Sequence, residues 1–322
     1  MPKVLSIDEK IELIKRNTEE IITLDSLKEL IKEKKNPRVY CGYELSGPMH
    51  LGHFVTITKL LDLQKAGFKI VILLADVHTM LNRKGDFDGI KKEVNNWKKT
   101  MKAIGINAEI VLGSDFEFDK NYQLDVMKLS QNSSINRGLR SMQEIARDVE
   151  NATISQLWYP LMQVADIKHL NVDVALGGIE QRKVHMIGKD MSKVIGYDFV
   201  AIHTPLITSL KGPGQKMSKS IPGSGISVTD SLDEIKKAIK SAYCPEKTSN
   251  DNPILQIFQL VIFPRFDVEI KRQEKFGGNI KFKNYQDLEK IYFQGKIHPL
   301  DLKEACIEYL WKITESIRKN WK

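Results

Sequence analysis

Cysteine is scarce in this sequence: three residues in 322, Cys41, Cys244 and Cys306, odd in number and far apart. That spacing argues against a disulfide framework or a zinc cluster and suits free thiols in a reducing compartment. No apolar run approaches the ~18 residues that a membrane span requires, and no internal repeat or low-complexity tract is found outside one loop. The opening stretch carries Asp8, Glu9, Glu12 and Lys15, unlike a signal peptide, so a cytoplasmic protein without a membrane partner is expected. Hydrophobic content of 42% and charged content of 28% exclude a disordered chain and leave room for one large domain and a smaller one. Acidic residues are outnumbered, giving a net charge of +8. Only half of that excess, four charges, lies from Ser231 onward, so it is spread over both halves; a polyanionic partner and plain solubility explain it equally well.

Apolar residues three and four apart predict helices over 7–21 and 25–35, the second with Asp25 as N-cap. Short β-branched runs then predict strands over 39–43, 69–75, 108–112 and 172–176, with helices over 55–65, 89–101 and 122–129 between them. Alternation of this kind means a parallel sheet covered on both faces, which binds ligands beyond the carboxyl ends of its strands. Gly42, Asp76 with His78, Gly113 with Asp115, and Gly177 with Gly178 follow the predicted strands and are expected at that edge. At 211–225 Gly, Pro, Ser and Lys displace all periodicity, which predicts a loop able to swing. A helix capped by Thr229 or Asp230 follows, running through 236–242, and the remainder reads as helices and loops. The expected fold class is α/β, a Rossmann-like parallel sheet domain over 1–226 with an all-helical C-terminal domain over 227–322.

Two stretches carry the chemistry. His50-Leu51-Gly52-His53 stands between the first core strand and the following helix, where free backbone N–H groups and small residues such as Gly47 and Gly52 favour a bound phosphate. Taken alone, two His residues a turn apart equally suit a metal or a packed core. The second stretch, Lys216-Met217-Ser218-Lys219-Ser220, places two ammonium groups on the glycine-flanked loop, where they can neutralise a triphosphate. A third signal is Tyr159, Gln163 and Asp166, spaced so that a helix puts three polar tips on one otherwise apolar face. A buried Asp166 needs a partner, either a ligand's phenol or a neighbouring Tyr or backbone N–H.

Together, HLGH and KMSKS resemble the signature pair of class I aminoacyl-tRNA synthetases. The segments YCGYELSGPMHLGH, YPLMQVADIKHLNVDVALGGIEQRKVH, EKFGG and IHPLDLK resemble the tyrosyl enzymes of archaeal and eukaryotic type over nearly the whole chain. The resemblance implies ATP-dependent attachment of L-tyrosine to tRNA(Tyr) through a tyrosyl-adenylate, with Mg²⁺ accompanying ATP, no tightly bound cofactor, and a homodimer, formed through the polar helix around 133–147. It implies catalytic roles for His50, His53, Lys216 and Lys219, with Gly42, Gly52, Gly177, Gly178, Met217, Ser218 and Ser220 at the nucleotide. Tyr40 and Asp166 would hold the phenol of tyrosine, and Tyr159, Gln163, Gln181 and Glu44 its ammonium group. Leu73, His78 and Glu117 would line the ring, Glu117 standing where relatives often carry an amide. For tRNA it implies that Phe276, His298, Pro299 and Asp301 read the first anticodon base, a guanine. A further expectation puts Arg182, Arg137 and Arg140 near the acceptor end.

Two other readings remain open on the sequence: a tryptophanyl enzyme, which shares both signatures, and a tRNA-binding relative without catalysis. From the residues alone, Asp301 equally suits the first turn of a helix, with Pro299 as its starter. By analogy with loss of one donor to a developing negative charge, Lys219→Ala is expected to slow amino-acid-dependent pyrophosphate exchange on the order of 10²-fold.

Overall fold

The computed structural model describes residues 5–85, 87–143, 145, 151–217 and 223–319. They form two compact units, one within Met1–Gly47, Lys59–Lys98 and Gly105–Pro205, the other within Pro48–Thr58, Lys99–Ile104 and Leu206–Lys322. These units part between Pro205 and Leu206, whereas the sequence places the domain boundary at 226/227.

In chain order the first elements are α1 (Ile7–Lys15), β1 (Glu20–Ile22), α2 (Leu24–Glu33), β2 (Arg38–Tyr43), α3 (His53–Lys65), β3 (Lys69–Leu74), α4 (Asp76–Leu81) and α5 (Phe87–Ile104). There follow β4 (Ala108–Leu112), α6 (Lys120–Gln131), α7 (Ile135–Met142), α8 (Ile154–His169), β5 (Val174–Gly178), α9 (Arg182–Asp190), α10 (Ser192–Ile195) and β6 (Val200–Thr204). The six strands form one sheet in the order β1-β6-β5-β2-β3-β4, parallel throughout except for β1, which pairs antiparallel with β6. From β2 the chain winds one way to β3 and β4, and later the other way from β5 to β6, so the order reverses between β2 and β5. A crevice opens at such a reversal because the flanking connections leave in opposite directions.

Along β2 and its neighbours the register aligns Tyr40 with Val71 and Ala175, and Gly42 with Leu73. Tyr40, Val71, Leu73, Ala75, Ala175 and Ala201 pack with Ile167 and Leu170 of α8, which fixes that helix against this face. Toward the carboxyl ends the same face carries the small residues Gly42, Ala75 and Gly177, and a Cβ at Gly42 would stand 3.6 Å from the Tyr40 ring. On its other side α8 meets α6 and α9 in a core of Tyr122, Val126, Leu161, Ala165, Val184 and Ile187.

In the second unit the elements are α11 (Leu232–Ser241), α12 (Pro253–Ile257), β7 (Val268–Ile270), β8 (Ile280–Phe282), α13 (Tyr285–Phe293) and α14 (Pro299–Lys319). The long α14 packs on α11, α12 and β7, and Tyr309 of α14 accepts from the Glu269 amide at 2.8 Å. This part is helical as expected, apart from the two-stranded antiparallel ribbon of β7 and β8.

Several local expectations change. The helix predicted over 7–21 stops at Lys15, Asn17 takes a left-handed φ of 52°, and Glu20–Ile22 becomes an edge strand because β6 offers it a ladder that a lone helix end cannot match. Thr23 and not Asp25 caps α2, and Ser231, through a reciprocal box with Glu234, caps α11 in place of Thr229 or Asp230. β5 lies two residues later than predicted, so Gly177 and Gly178 belong to the strand itself, as Gly42 belongs to β2. β6 was not predicted at all, although Val200-Ala-Ile-His-Thr is β-branched enough to be read as one.

One polar chain, running from the surface to the core, ties β1 to this sheet. Arg182 clasps Glu20 at 2.7 and 3.1 Å, Glu20 meets His203 Nδ1 at 3.2 Å, and His203 Nε2 meets His185 Nδ1 at 2.9 Å. Burial and the adjoining His203 hold His185 down at about 3, well below an unfolded histidine at about 6.5. The unfolded chain therefore takes up a proton first, and stability present above about pH 6.5 is lost as pH falls toward 3, by up to about 1.4 kcal/mol per pH unit. The thermal midpoint is expected to drop between pH 7 and pH 5, with a smaller drop in His185→Asn, measured by circular dichroism in matched buffers.

Candidate active site

The first signature lies in the second unit. Pro48 to His53 leads into α3, and its backbone is tied to the segment following the lysine loop: Leu51 N donates to Ile226 O at 2.8 Å and Val228 N to Met49 O at 3.0 Å, with His50 bridged to Ser227. Two stretches 175 to 179 residues apart are thereby joined through main-chain bonds. The His50 and His53 rings stack at 3.8 Å. His50 Nδ1 accepts from the Gly52 amide and His53 Nδ1 from the His50 amide, both at 3.1 Å. An imidazole that accepts at Nδ1 carries its proton on Nε2 when neutral, so both rings are fixed as Nε2–H donors. Gly52 is required here, since a Cβ would stand 2.9 Å from His50 Cε1 and 3.5 Å from Met217 O.

Lys216 is exposed and bridged to Thr208, and Met217 is buried, its amide donating to Ile207 O at 2.7 Å. Ser218, Lys219 and Ser220 lie outside the described residues. Arg265 supports the start of α3 from below, bonding the Thr58 hydroxyl at 2.7 Å with its guanidinium 5.6 Å from the Phe54 ring centre.

The first unit holds the polar slot on α8. Tyr40, Tyr159 and Asp166 are buried, as are Leu73, His78 and Glu117. Gln163 bonds Gln181 at 3.1 Å and lies against the Tyr40 hydroxyl. A Cβ at Gly177 would come within 2.8 Å of Gln181 Cβ, so the glycine lets Gln181 fold back over the strand end. Glu44 accepts from Asn82 at 2.8 Å and pairs with Lys84. At the bottom of the slot, Asp166 Oδ1 accepts from the Tyr122 hydroxyl at 2.7 Å, while Oδ2 makes no hydrogen bond and faces His78 Nε2 at 3.5 Å. His78 Nδ1 faces Glu117 at 3.3 Å. Burial alone would depress His78, but the two carboxylates outweigh it and raise it to about 9. Burial, and then the charge of Glu117, raise the Asp166 carboxyl. Tyr40, Tyr122 and Tyr159 are raised by burial and stay phenolic.

His78, Glu117 and Asp166 each offer an atom within 4.8 Å of the others. Glu117 and Asp166 lie against different nitrogens on opposite edges of the ring, however, so one metal ion cannot take all three without turning the imidazole. The arrangement places the His78 imidazole between the carboxyl groups of Glu117 and Asp166.

The candidate RNA residues of the second unit sit on two loops joined by one side chain. Arg272 donates to Gly278 O at 2.9 Å and Lys296 O at 2.5 Å, linking the loop of exposed Phe276 to the segment that leads into His298, Pro299 and Asp301. His298 Nδ1 accepts from the Leu300 amide at 3.2 Å, and Asp301 falls in the first turn of α14. Lys275 lies 4.9 Å over the Phe276 ring. In the first unit, Arg182 is engaged by Glu20 and Arg137 by Asp190, while Arg140 is exposed.

Residues 32–314 match the family model described as tRNA synthetases class I (W and Y). The tyrosine–tRNA ligase of Methanocorpusculum labreanum is 49% identical over 305 residues, covering 94% of this chain and 95% of that protein. The crystal structure of tyrosyl-tRNA synthetase from Archaeoglobus fulgidus, complexed with L-tyrosine, superposes with a TM-score of 0.94 at 45% identity, covering 98% of this chain and 99% of that one. A tryptophanyl-tRNA synthetase from Aeropyrum pernix shares only the fold, with a TM-score of 0.74 at 18% identity over 93% of this chain and 82% of that one. This chain belongs to the tyrosyl branch of the class I tRNA synthetases.

For a tyrosyl-tRNA synthetase, sequence reasoning missed four supporting residues: Tyr122, Asn82, Lys84 and Arg272. Tyr122 carries no signal of its own, being one aromatic on an amphipathic helix, and only the fold reveals that it crosses to Asp166. Gly52→Ala is expected to lower pyrophosphate exchange at least tenfold, since the added methyl displaces the His50 ring, with tyrosine binding by calorimetry retained.

Proposed function

We propose that this chain attaches L-tyrosine to tRNA(Tyr) in two steps. In the first, the tyrosine carboxylate attacks the α-phosphorus of ATP, the bond to the bridging oxygen breaks, and pyrophosphate leaves. The nucleophile is already ionised at neutral pH, so no base is needed and catalysis reduces to alignment and charge stabilisation. The Nε2–H edges of His50 and His53, with Lys216 and Lys219, supply donors for phosphate oxygens. Gly42, Gly52, Gly177, Gly178, Met217, Ser218 and Ser220 are assigned to the nucleotide's surroundings. This donor set is made of N–H groups, which suits phosphate; Mg²⁺ would be carried by triphosphate oxygens and water, and would add charge neutralisation there. In the second step a ribose hydroxyl of the terminal adenosine takes the tyrosyl group and adenylate leaves.

The observation that carries the tyrosine assignment is the buried Asp166 Oδ2, an acceptor without a hydrogen bond at the foot of a slot lined by phenolic Tyr40 and Tyr159. A tyrosine hydroxyl would satisfy it, whereas a phenylalanine ring would leave it bare. Leu73, His78 and Glu117 are assigned to the ring, and Tyr159, Gln163, Gln181 and the Lys84-paired Glu44 to the ammonium end.

For tRNA, Phe276 is read as a stacking platform and Asp301 as a carboxylate accepting from a guanine edge, with His298 and Pro299 beside them. Arg182, Arg137 and Arg140 are assigned to the acceptor end. The catalytic domain is taken as 1–226 and the anticodon domain as 227–322. A homodimer is proposed, with exposed Phe118, Leu124 and Met127 beside the α7 region as its apolar contribution; the setting is cytoplasmic.

Asp166→Ala is expected to raise the kcat/KM for phenylalanine relative to tyrosine, in pyrophosphate exchange, by on the order of tenfold. An unchanged ratio refutes the assignment.

A further inference from the structure

Glu117 is fully buried, and neither of its carboxylate oxygens makes a hydrogen bond. Its nearest cationic group is His78, whose Nδ1 lies 3.3 Å away. Gly113 makes the space for it: a Cβ at that position would fall 2.2 Å from Glu117 Oε1. Asp76, two residues before His78, brings another buried carboxylate to the same Gly113 position, 3.0 Å from where that Cβ would stand, with its Oδ1 held by the amides of Val77 and Ser114. Glu117 approaches His78 from the turn after β4, Asp166 from α8 at 3.5 Å, and Glu44, itself paired with Lys84, from the end of β2. The Tyr159 ring stands edge-on to the imidazole at 4.7 Å. Two buried carboxyl groups this close are costly when both are ionised, and the imidazole that both can reach offsets that cost while it carries a proton.

We propose that Glu117 is a positioning residue for tyrosine selection: its carboxylate, 3.3 Å from Nδ1 of His78, attracts that edge of the ring and so keeps Nε2–H facing the phenol-reading carboxylate of Asp166. In this role Glu117, besides lining the ring, acts through His78 and makes no bond to the substrate itself. A glutamine in its place would still fill the volume but would bring no charge, and either end of its amide could face the ring. The imidazole would then lose its proton at lower pH and become free to turn its Nε2 lone pair toward Asp166. Removal of that donor leaves two acceptors opposed at the point where the phenol must bind. The effect falls on tyrosine affinity rather than on phosphorus chemistry.

This inference rests on the assignment of Asp166 to the phenol, and the experiment separates the two. Pyrophosphate exchange is measured from pH 6 to 10 for wild type, Glu117→Gln, Glu117→Asp and Asp166→Ala, with tyrosine and with phenylalanine. The His78 ring signal is followed by NMR and assigned with His78→Gln. Wild-type His78 is expected to stay protonated to about pH 9. Glu117→Gln is expected to titrate at least one pH unit lower, with a tyrosine KM raised on the order of tenfold at pH 8 and a kcat within a factor of about two. Glu117→Asp should recover most of both. Ionisation of the substrate's own amino group is common to all variants and cancels in the comparison. If Glu117→Gln keeps the wild-type His78 titration and tyrosine KM while Asp166→Ala alters the tyrosine to phenylalanine ratio, the role of Glu117 is overturned and that of Asp166 stands. If Asp166→Ala leaves the ratio unchanged, the parent assignment fails first.

Discussion

On the reading proposed above, the nucleotide chemistry depends on the main-chain bonds between Met49 to Leu51 and Ile226 to Val228. Side chains at 50 and 53 could be of the right type and still be useless if the lysine loop were anchored elsewhere. The ladder uses no side chain, so it sets the approach of the two signatures whatever residues they carry. On that fixed base the imidazoles are oriented by backbone amides accepted at Nδ1, and Gly52 keeps the opposing strand of backbone close. Orientation is thus settled before a ligand arrives, which is the condition for donors to favour a developing charge without reorganising.

A different constraint governs the amino-acid slot. There the sheet register sets Gly42 and Gly177 on the face that carries Tyr40 and Ala175, and Gln163 of α8 reaches the Tyr40 hydroxyl. The slot is buried and carries two carboxyl groups, so its charge must be managed internally. His78 does this between Glu117 and Asp166, and Tyr122 fixes the remaining oxygen of Asp166.

Much of this was legible in the sequence, because the strongest signals were local. The alternation of β-branched runs with helical periods fixes a parallel sheet, and the i, i+4, i+7 spacing of Tyr159, Gln163 and Asp166 places them on one helix face regardless of context. What escaped was either competitive or remote. Glu20–Ile22 fits a helical period as well as an edge strand, and only the presence of β6 decides between them. Tyr122 and Arg272 act across 44 residues and 24 residues of chain respectively, and neither residue type at its position announces a partner. Helix caps were misplaced by one or two residues, since Ser, Thr and Asp compete closely for that position.

Glycine at 113 and the carboxylate at 117 occupy one another's allowance of space. A larger residue at 113 displaces the acid from beneath the imidazole, and a shorter side chain at 117 would ease the demand for glycine four positions earlier, leaving Asp76 Oδ1 as the remaining tight contact at 3.0 Å. The two sites are therefore expected to drift as a couple among descendants of this chain, so that a substitution at either alone is the rarer event.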